Sequence, residues 1–176
     1  MIYNQSDEIL IRNLQEGDAQ IITYEEIAQG WDEEGRLDKY FLRLKDQAEG
    51  RAVALAAEYQ GNVAGYINIY PDSKWGAFAG LGYPEIVDFG VLEKYRRRGI
   101  GSQLMDAAEK IASNYADVVN LGVGLHSGYG SAQRMYVKRG YIPDGGGVWY
   151  KDKLCIPYEK CYNDDELVLY MSKQLC

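Results

Sequence analysis

The stretch from Glu85 to Leu125 reads as strand, glycine turn, helix and strand, an order that calls for parallel pairing of the two strands. Glu85 to Leu92 is an apolar run containing β-branched residues, the pattern of a buried strand. Gly99 and Gly101 then punctuate the entry to a segment whose Leu104, Met105, Ala108, Ile111 and Ala112 share one helical face. Val118 to Leu125 is a second strand. Ser131 to Arg139 follows as a helix with Ser131 as its predicted cap and Gly140 as its stop. Two strands joined through a helix pair in parallel, so the chain belongs to the α/β class.

The flanking sequence adds antiparallel elements. Glu8 to Leu14 reads as a first strand, and Asp18 precedes Ile21, Ile22 and Ile27 as the cap of a helix that ends at Gly30. A second helix runs from Leu37 to Gln47, with Leu37, Tyr40, Phe41 and Leu44 at helical spacing and Gly50 beyond it. Trp31 to Gly35 is the loop between them. Ala52 to Tyr59 and Val63 to Tyr70 flank Gln60-Gly61-Asn62 and form a hairpin. The glycine- and aromatic-rich segment from Pro71 to Pro84 is irregular. Trp149-Tyr150 and Glu166 to Met171 are closing strands, with Asp144-Gly145-Gly146-Gly147 as a turn. With 176 residues, 47% of them hydrophobic, the chain is expected to form a single domain over residues 1–176.

Composition narrows the function. Lys plus Arg number 19 against 26 Asp plus Glu, a formal charge of -7, which argues against general nucleic-acid binding and suits a cationic substrate. No apolar run approaches the ~18 residues of a membrane span, and the N-terminus lacks a basic then apolar leader, so a cytoplasmic protein without membrane contact is expected. Cys155, Cys161 and Cys176 are odd in number and have no clustered histidines beside them. They read as free thiols, with neither a disulfide framework nor a metal site.

The turn Arg96-Arg97-Arg98-Gly99-Ile100-Gly101 opens a helix, where unpaired backbone N–H groups and the positive end of the helix dipole favour an anion. The glycines let backbone approach a phosphate, and the arginines add charge. The hexapeptide lacks both the Lys-Ser/Thr ending of a P-loop and the full glycine pattern of a dinucleotide fold. Taken alone it reads equally as an anion site or as a solvated basic connection.

The surrounding residues favour the anion site. From Glu85 to Met105 the chain resembles the cofactor-binding motif of the GNAT superfamily of N-acetyltransferases, including Arg96-x-x-Gly99-x-Gly101. Ala132-Gln133-Arg134-Met135-Tyr136-Val137-Lys138-Arg139-Gly140-Tyr141 resembles the family's second conserved helix. Tyr129 stands where the family commonly has asparagine. The resemblance covers nearly the whole chain and implies a central mixed, mostly antiparallel sheet of about six to seven strands with flanking helices, splayed between its fourth and fifth strands.

The same resemblance implies acetyl-CoA as cosubstrate and direct attack of a primary amine through a tetrahedral intermediate. The pantetheine arm would bond to backbone around Phe89 and Val91, and the pyrophosphate would rest on Arg96, Arg97, Arg98, Gly99, Ile100, Gly101 and Ser102. An oxyanion partner is expected from a backbone N–H near Phe89. Glu85 occupies the general-base position of the histone-acetylating branch, with Asp88 as its rival. Strict alternation puts Glu85 and Asp88 on opposite faces, but a bulge of the kind this family carries would shift that parity. Tyr136 falls at the position of a tyrosine general acid. Trp31 and Glu34 lie in the loop that walls the acceptor cleft in this family, and His126 ends the strand after the glycine-turn helix, as a proton relay or a hydrogen-bonded structural residue. A small cationic amine is the expected acceptor, with a protein amine or a non-catalytic CoA-binding module as alternatives. Family members also form homodimers, which makes that assembly an expectation here.

Overall fold

The computed structural model describes residues 1–175, which divide into two compact units. The first comprises residues 1–70 and 87–111; the second comprises 71–86 and the chain from 112 onward. The strands are β1 (Ile2–Gln5), β2 (Ile9–Asn13), β3 (Val53–Tyr59), β4 (Asn62–Tyr70), β5 (Glu85–Val91), β6 (Val118–Gly124), β7 (Ile142–Tyr150), β8 (Lys153–Leu154) and β9 (Leu167–Gln174). The helices are α1 (Glu16–Ala28), α2 (Arg36–Ala48), α3 (Ile100–Ala112) and α4 (Gly130–Lys138). The strands follow the order β1-β2-β3-β4-β5-β6-β9-β7-β8 in one mixed sheet.

In the first unit β1 to β4 form an antiparallel meander. Its β3–β4 hairpin closes on Gln60 and Gly61, both with positive φ, as a two-residue hairpin turn requires. Alternation along β3 sends Ala54 and Ala56 to one face, where they pack with Ile22 of α1 and Tyr40 of α2. Leu104 of α3 approaches Gly65 of β4. All five residues of the α3 stripe are buried, and full burial of a Leu or Met side chain is worth about 1.5–3 kcal/mol. Gly65 also lies close to Gly90: a Cβ on Gly65 would sit 2.8 Å from the Gly90 carbonyl oxygen, so only glycine lets β4 and β5 approach this closely.

The second unit contains the parallel step inferred from the sequence, Glu85↔Asn120 and Ile86↔Leu121, followed by antiparallel pairing of β6 with β9 and of β9 with β7. Gly76, at φ +64, is packed so tightly against the ring of Tyr170 that any Cβ would overlap it.

Four details differ from the sequence expectations. The sheet has nine strands instead of six or seven, because the polar segment β1 and the two-residue β8 also pair. Asp18 is not the α1 cap but lies three residues inside it: its Oδ2 accepts from the Gln15 backbone N–H at 2.7 Å, and Arg12 pairs with it at 2.6 Å. Ser131 likewise lies within α4, whose N-cap is Tyr129. Asp144 to Gly147 is not a turn between strands but an irregularity inside β7, where the register against β9 jumps between Pro143 and Val148. The positive φ of Gly145 and Gly147 accommodates it.

Candidate functional site

The glycine turn lies in the first unit. Arg97 and Gly99 both take positive φ, +61° and +80°, and α3 begins at Ile100. Its first internal hydrogen bond runs from Gln103 N–H to the Gly99 carbonyl at 3.1 Å, so the amides before Gln103 have no carbonyl four residues back within the helix to accept from them. Left-handed residues alternating with ordinary ones turn successive amides toward a common point, an anion-binding concavity. The space a Gly99 Cβ would enter is open, whereas a Gly101 Cβ would lie 3.2 Å from the Phe89 ring and 3.5 Å from the Val91 side chain. Phe89 and Val91 thus support the turn from β5.

The three arginines divide their roles. Arg96 Nε donates to the Val91 carbonyl at 3.2 Å and its Nη1 to Glu93 at 3.2 Å, closing the turn onto the end of β5. The Arg98 guanidinium lies over the Tyr59 ring, 5.0 Å from its centroid. Arg97 and Ser102 are exposed, and Ile100 is fully buried and anchors the first helical turn. This arrangement fits a pyrophosphate held by backbone amides, with the arginine charge around it.

Asp88 interrupts β5. Its φ of +51° is left-handed, which in a residue with a Cβ costs about 1–2 kcal/mol, and it marks the kink that breaks alternation along the strand. Arg43 Nε donates to Asp88 Oδ2 at 2.6 Å, and Arg43 Nη1 donates to the Tyr70 hydroxyl at 2.6 Å. The Tyr70 hydroxyl in turn donates to Asp46, which Arg51 pairs at 2.6 Å. Burial, reinforced by that bond to Asp46, pushes the Tyr70 phenol up to about 12.

A second polar cluster in this unit centres on Glu26, 6% exposed. It accepts from the hydroxyls of Tyr66 and of Tyr40, the latter at 2.8 Å, and from Arg36 at 2.8 Å. Tyr66 packs on Gly90, where a Cβ would lie 2.7 Å from its hydroxyl. Burial above all, then the Glu26 charge, drives the Tyr66 phenol well above its ordinary value. Arg36 also stacks 5.4 Å from the exposed Trp31 ring and donates to the Asp32 carbonyl, which ties the loop down from beneath. Glu34 is exposed; its backbone N–H donates to Asp32 Oδ1 at 3.1 Å.

The second unit holds the other candidates. Glu85 is 4% exposed, and its Oε2 accepts from the fully buried Ser73 hydroxyl at 2.8 Å. Its charge adds to burial in raising the Tyr170 phenol. Tyr136 is 5% exposed, with its ring 5.7 Å from that of Tyr141, and burial raises its phenol above the usual value. Gln133 Nε2 donates to the Gly124 carbonyl at 2.8 Å and fixes α4 against the end of β6.

His126 is bonded at both ring nitrogens. Nδ1 accepts from the Gly128 N–H at 3.1 Å, which places the neutral-ring proton on Nε2, 2.8 Å from Asp165 Oδ1. Tyr129, in the position of the expected asparagine, donates to the same carboxylate at 2.9 Å. Among the described residues no helix is long and apolar enough to cross a membrane, and no group of three or more His, Cys, Asp or Glu could hold a metal ion.

Sequence reasoning missed Arg43, Tyr70, Asp46, Ser73 and the Glu26 cluster. A usable signal existed for two of them: Arg43 and Asp46 flank the apolar stripe of α2, and charged residues there need partners.

Residues 19–141 match the model of the acetyltransferase (GNAT) family. An N-alpha-acetyltransferase of Sulfurisphaera tokodaii is 29% identical over 109 residues, 58% of this chain; the chain spans 64% of that relative's length. Among solved structures, an acetyltransferase that modifies the N-terminal serine of ribosomal protein L7/L12 in Salmonella typhimurium superposes at TM-score 0.72 with 12% identity, over all of both chains. A chimera of spermidine N-acetyltransferase from Vibrio cholerae and its human counterpart superposes at 0.67 with 15% identity, over 96% of each chain. At those identities the structures establish the fold.

Proposed function

The chain belongs to the GNAT acetyltransferase family, and on that premise we propose that it moves an acetyl group from acetyl-CoA to a primary amine, with the α-amine of a polypeptide as its leading acceptor. The observation that carries the proposal is the glycine turn, with two left-handed residues, a helix start and exposed arginine charge, in the segment that resembles the family's cofactor-binding motif. Backbone amides from Arg97 to Ser102 hold the pyrophosphate, and backbone at Phe89 and Val91 receives the pantetheine arm. The thioester, once bound, supplies an acyl carbon open to amine attack.

The residues of the chain handle the protons. Glu85 takes a proton from the acceptor ammonium, directly or through water, with Ser73 fixing one carboxylate oxygen. The Phe89 N–H faces the developing oxyanion. Tyr136 donates a hydrogen bond to the departing sulfur. Its phenol is raised above 10 by burial and a thiol titrates near 8.5, so complete proton transfer is uphill and the hydroxyl acts mainly as a hydrogen-bond donor. Tyr136→Phe is therefore expected to lower kcat about tenfold with little change in the KM for acetyl-CoA, measured by thiol release. An unchanged kcat removes Tyr136 from the mechanism.

The acceptor assignment rests on the name of the Sulfurisphaera relative and on proton chemistry. An α-amine of pKa about 7.7–8.0 is roughly one-tenth neutral at pH 7, while an alkylamine near 10.4 is neutral on the order of one part in a thousand or less. A small polycationic amine is the second reading, favoured by the exposed Glu33 and Glu34 beside Trp31. A panel of unblocked peptides, Nα-acetyl-lysine and spermidine decides between them. Turnover of the peptides at least tenfold above the others is expected; preferential turnover of spermidine establishes the second reading.

A further inference from the structure

Asp88 holds a backbone conformation that favours glycine, in the interior of the strand proposed to receive acetyl-CoA. Such a residue persists only where its surroundings over-determine it. Here the determinant is Arg43. Its Nε lies 2.6 Å from Asp88 Oδ2, and the guanidinium is itself fixed by the Tyr70 hydroxyl at 2.6 Å and by the Tyr70 ring, 5.2 Å from centroid to guanidinium carbon. Tyr70 is fixed in turn by Asp46, and Asp46 by Arg51. The chain of contacts runs from α2 through β4 to the kink in β5.

The part of β5 beyond the kink supports the cosubstrate turn. Phe89 and Val91 buttress that turn at Gly101, and Gly90 is packed under Tyr66, so the direction in which the Phe89 amide points is set by the backbone angle at Asp88. The Asp88 carboxylate is held through Oδ2 by the Arg43 guanidinium, which ties the side chain of the kinked residue to α2.

We propose that Arg43 is a positioning residue for acetyl transfer: by clamping Asp88 it fixes the left-handed kink of β5 and with it the backbone that receives the acetyl-CoA arm, and Asp88 serves as the clamp's anchor instead of as the general base. The inference rests on the acetyl-transfer reading.

The test uses the full chain, with CoA affinity by calorimetry and acceptor-dependent thiol release as separate readouts. Asp88→Ala keeps a Cβ and loses the clamp, and it is expected to weaken CoA binding and raise the acetyl-CoA KM about tenfold. Asp88→Gly, which adopts the left-handed angle unaided, recovers most of that loss. Arg43→Met weakens CoA binding about tenfold in the parent and less than twofold in the Asp88→Gly background, with the pH profile of kcat/KM keeping its shape. Melting temperatures identify any variant that fails to fold, and Arg43→Lys then replaces Arg43→Met. Asp88→Gly as impaired as Asp88→Ala, together with a change in the acidic limb of the pH profile to the amine's own pKa alone, overturns the proposal and makes Asp88 the base. Additive effects of the Arg43 and Asp88 substitutions on CoA affinity also overturn it. If the parent binds CoA without turnover, the acetyl-transfer reading fails, and the calorimetric cycle still decides the clamp.

Discussion

Replacing Glu85 by glutamine is expected to lower kcat/KM for the amine about a hundredfold while leaving CoA affinity within twofold. The magnitude comes from the role: a positioned general base contributes on the order of 10²–10⁴ in rate. Glutamine keeps the volume of the side chain and an oxygen that can accept from Ser73, so the buried site retains its packing and its hydrogen bond. The substitution removes the negative charge and with it proton acceptance. The residual rate should rise with pH only as the free amine becomes more abundant, so the acidic limb should follow the amine's own pKa and lose the inflection due to the base. A Gln variant with parental kcat/KM assigns Glu85 to the structure of the strand edge and directs the search for a base elsewhere.

The second large effect is expected at the glycine turn. Gly99→Val places a β-branched side chain at φ +80°, a conformation such residues avoid, so the turn rotates away from its present amide directions. Each charge-assisted hydrogen bond to a phosphate is worth about 1.5–3 kcal/mol, and losing one or two of them weakens CoA binding about a hundredfold. The space beside Gly99 is open, so the effect comes from backbone strain and not from a clash with the core. The melting temperature should therefore fall by only a few degrees. Calorimetry with CoA and a thermal melt on the same sample separate the two contributions. Unchanged affinity shows that the pyrophosphate is held by other groups.

The fold is legible in the sequence wherever local periodicity is decisive. The β5–turn–α3 passage combines a continuous apolar run, two glycines and a helical stripe, and each lies within a residue or two of its inferred position. Local rules fail where pairing is decided by distant partners. Nothing in Ile2–Gln5 marks it as a strand; it becomes one because β2 offers an edge. Asp18 looks like a cap by residue type, yet a cap is defined by geometry, and Gln15 takes that place. The glycines after Asp144 suggest a turn, but β9 holds both flanks of the segment, so the extra residues bulge within the strand.

The site shows the same division. The glycine turn is a contiguous motif, whereas the other candidate groups are each assembled from distant parts of the sequence. Glu26 meets Tyr66 across 40 residues, Arg43 meets Asp88 across 45, and Ser73 meets Glu85 across 12. Regular alternation along β5 is interrupted at Asp88, where a left-handed angle invisible in composition kinks the strand. For His126 the sequence allows either a relay or a structural residue; its two ring bonds are those of a residue that caps a turn and ties down Asp165.

The central claim is tested most directly by titrating the full chain with CoA in a calorimeter and then following thiol release from acetyl-CoA with and without an unblocked peptide. Saturable CoA binding, with thiol release that depends on the peptide and a product heavier by one acetyl group at its N-terminus, is the predicted result. Tight CoA binding with no acceptor-dependent release across peptides, lysine and polyamine contradicts it and leaves a CoA-binding module without turnover.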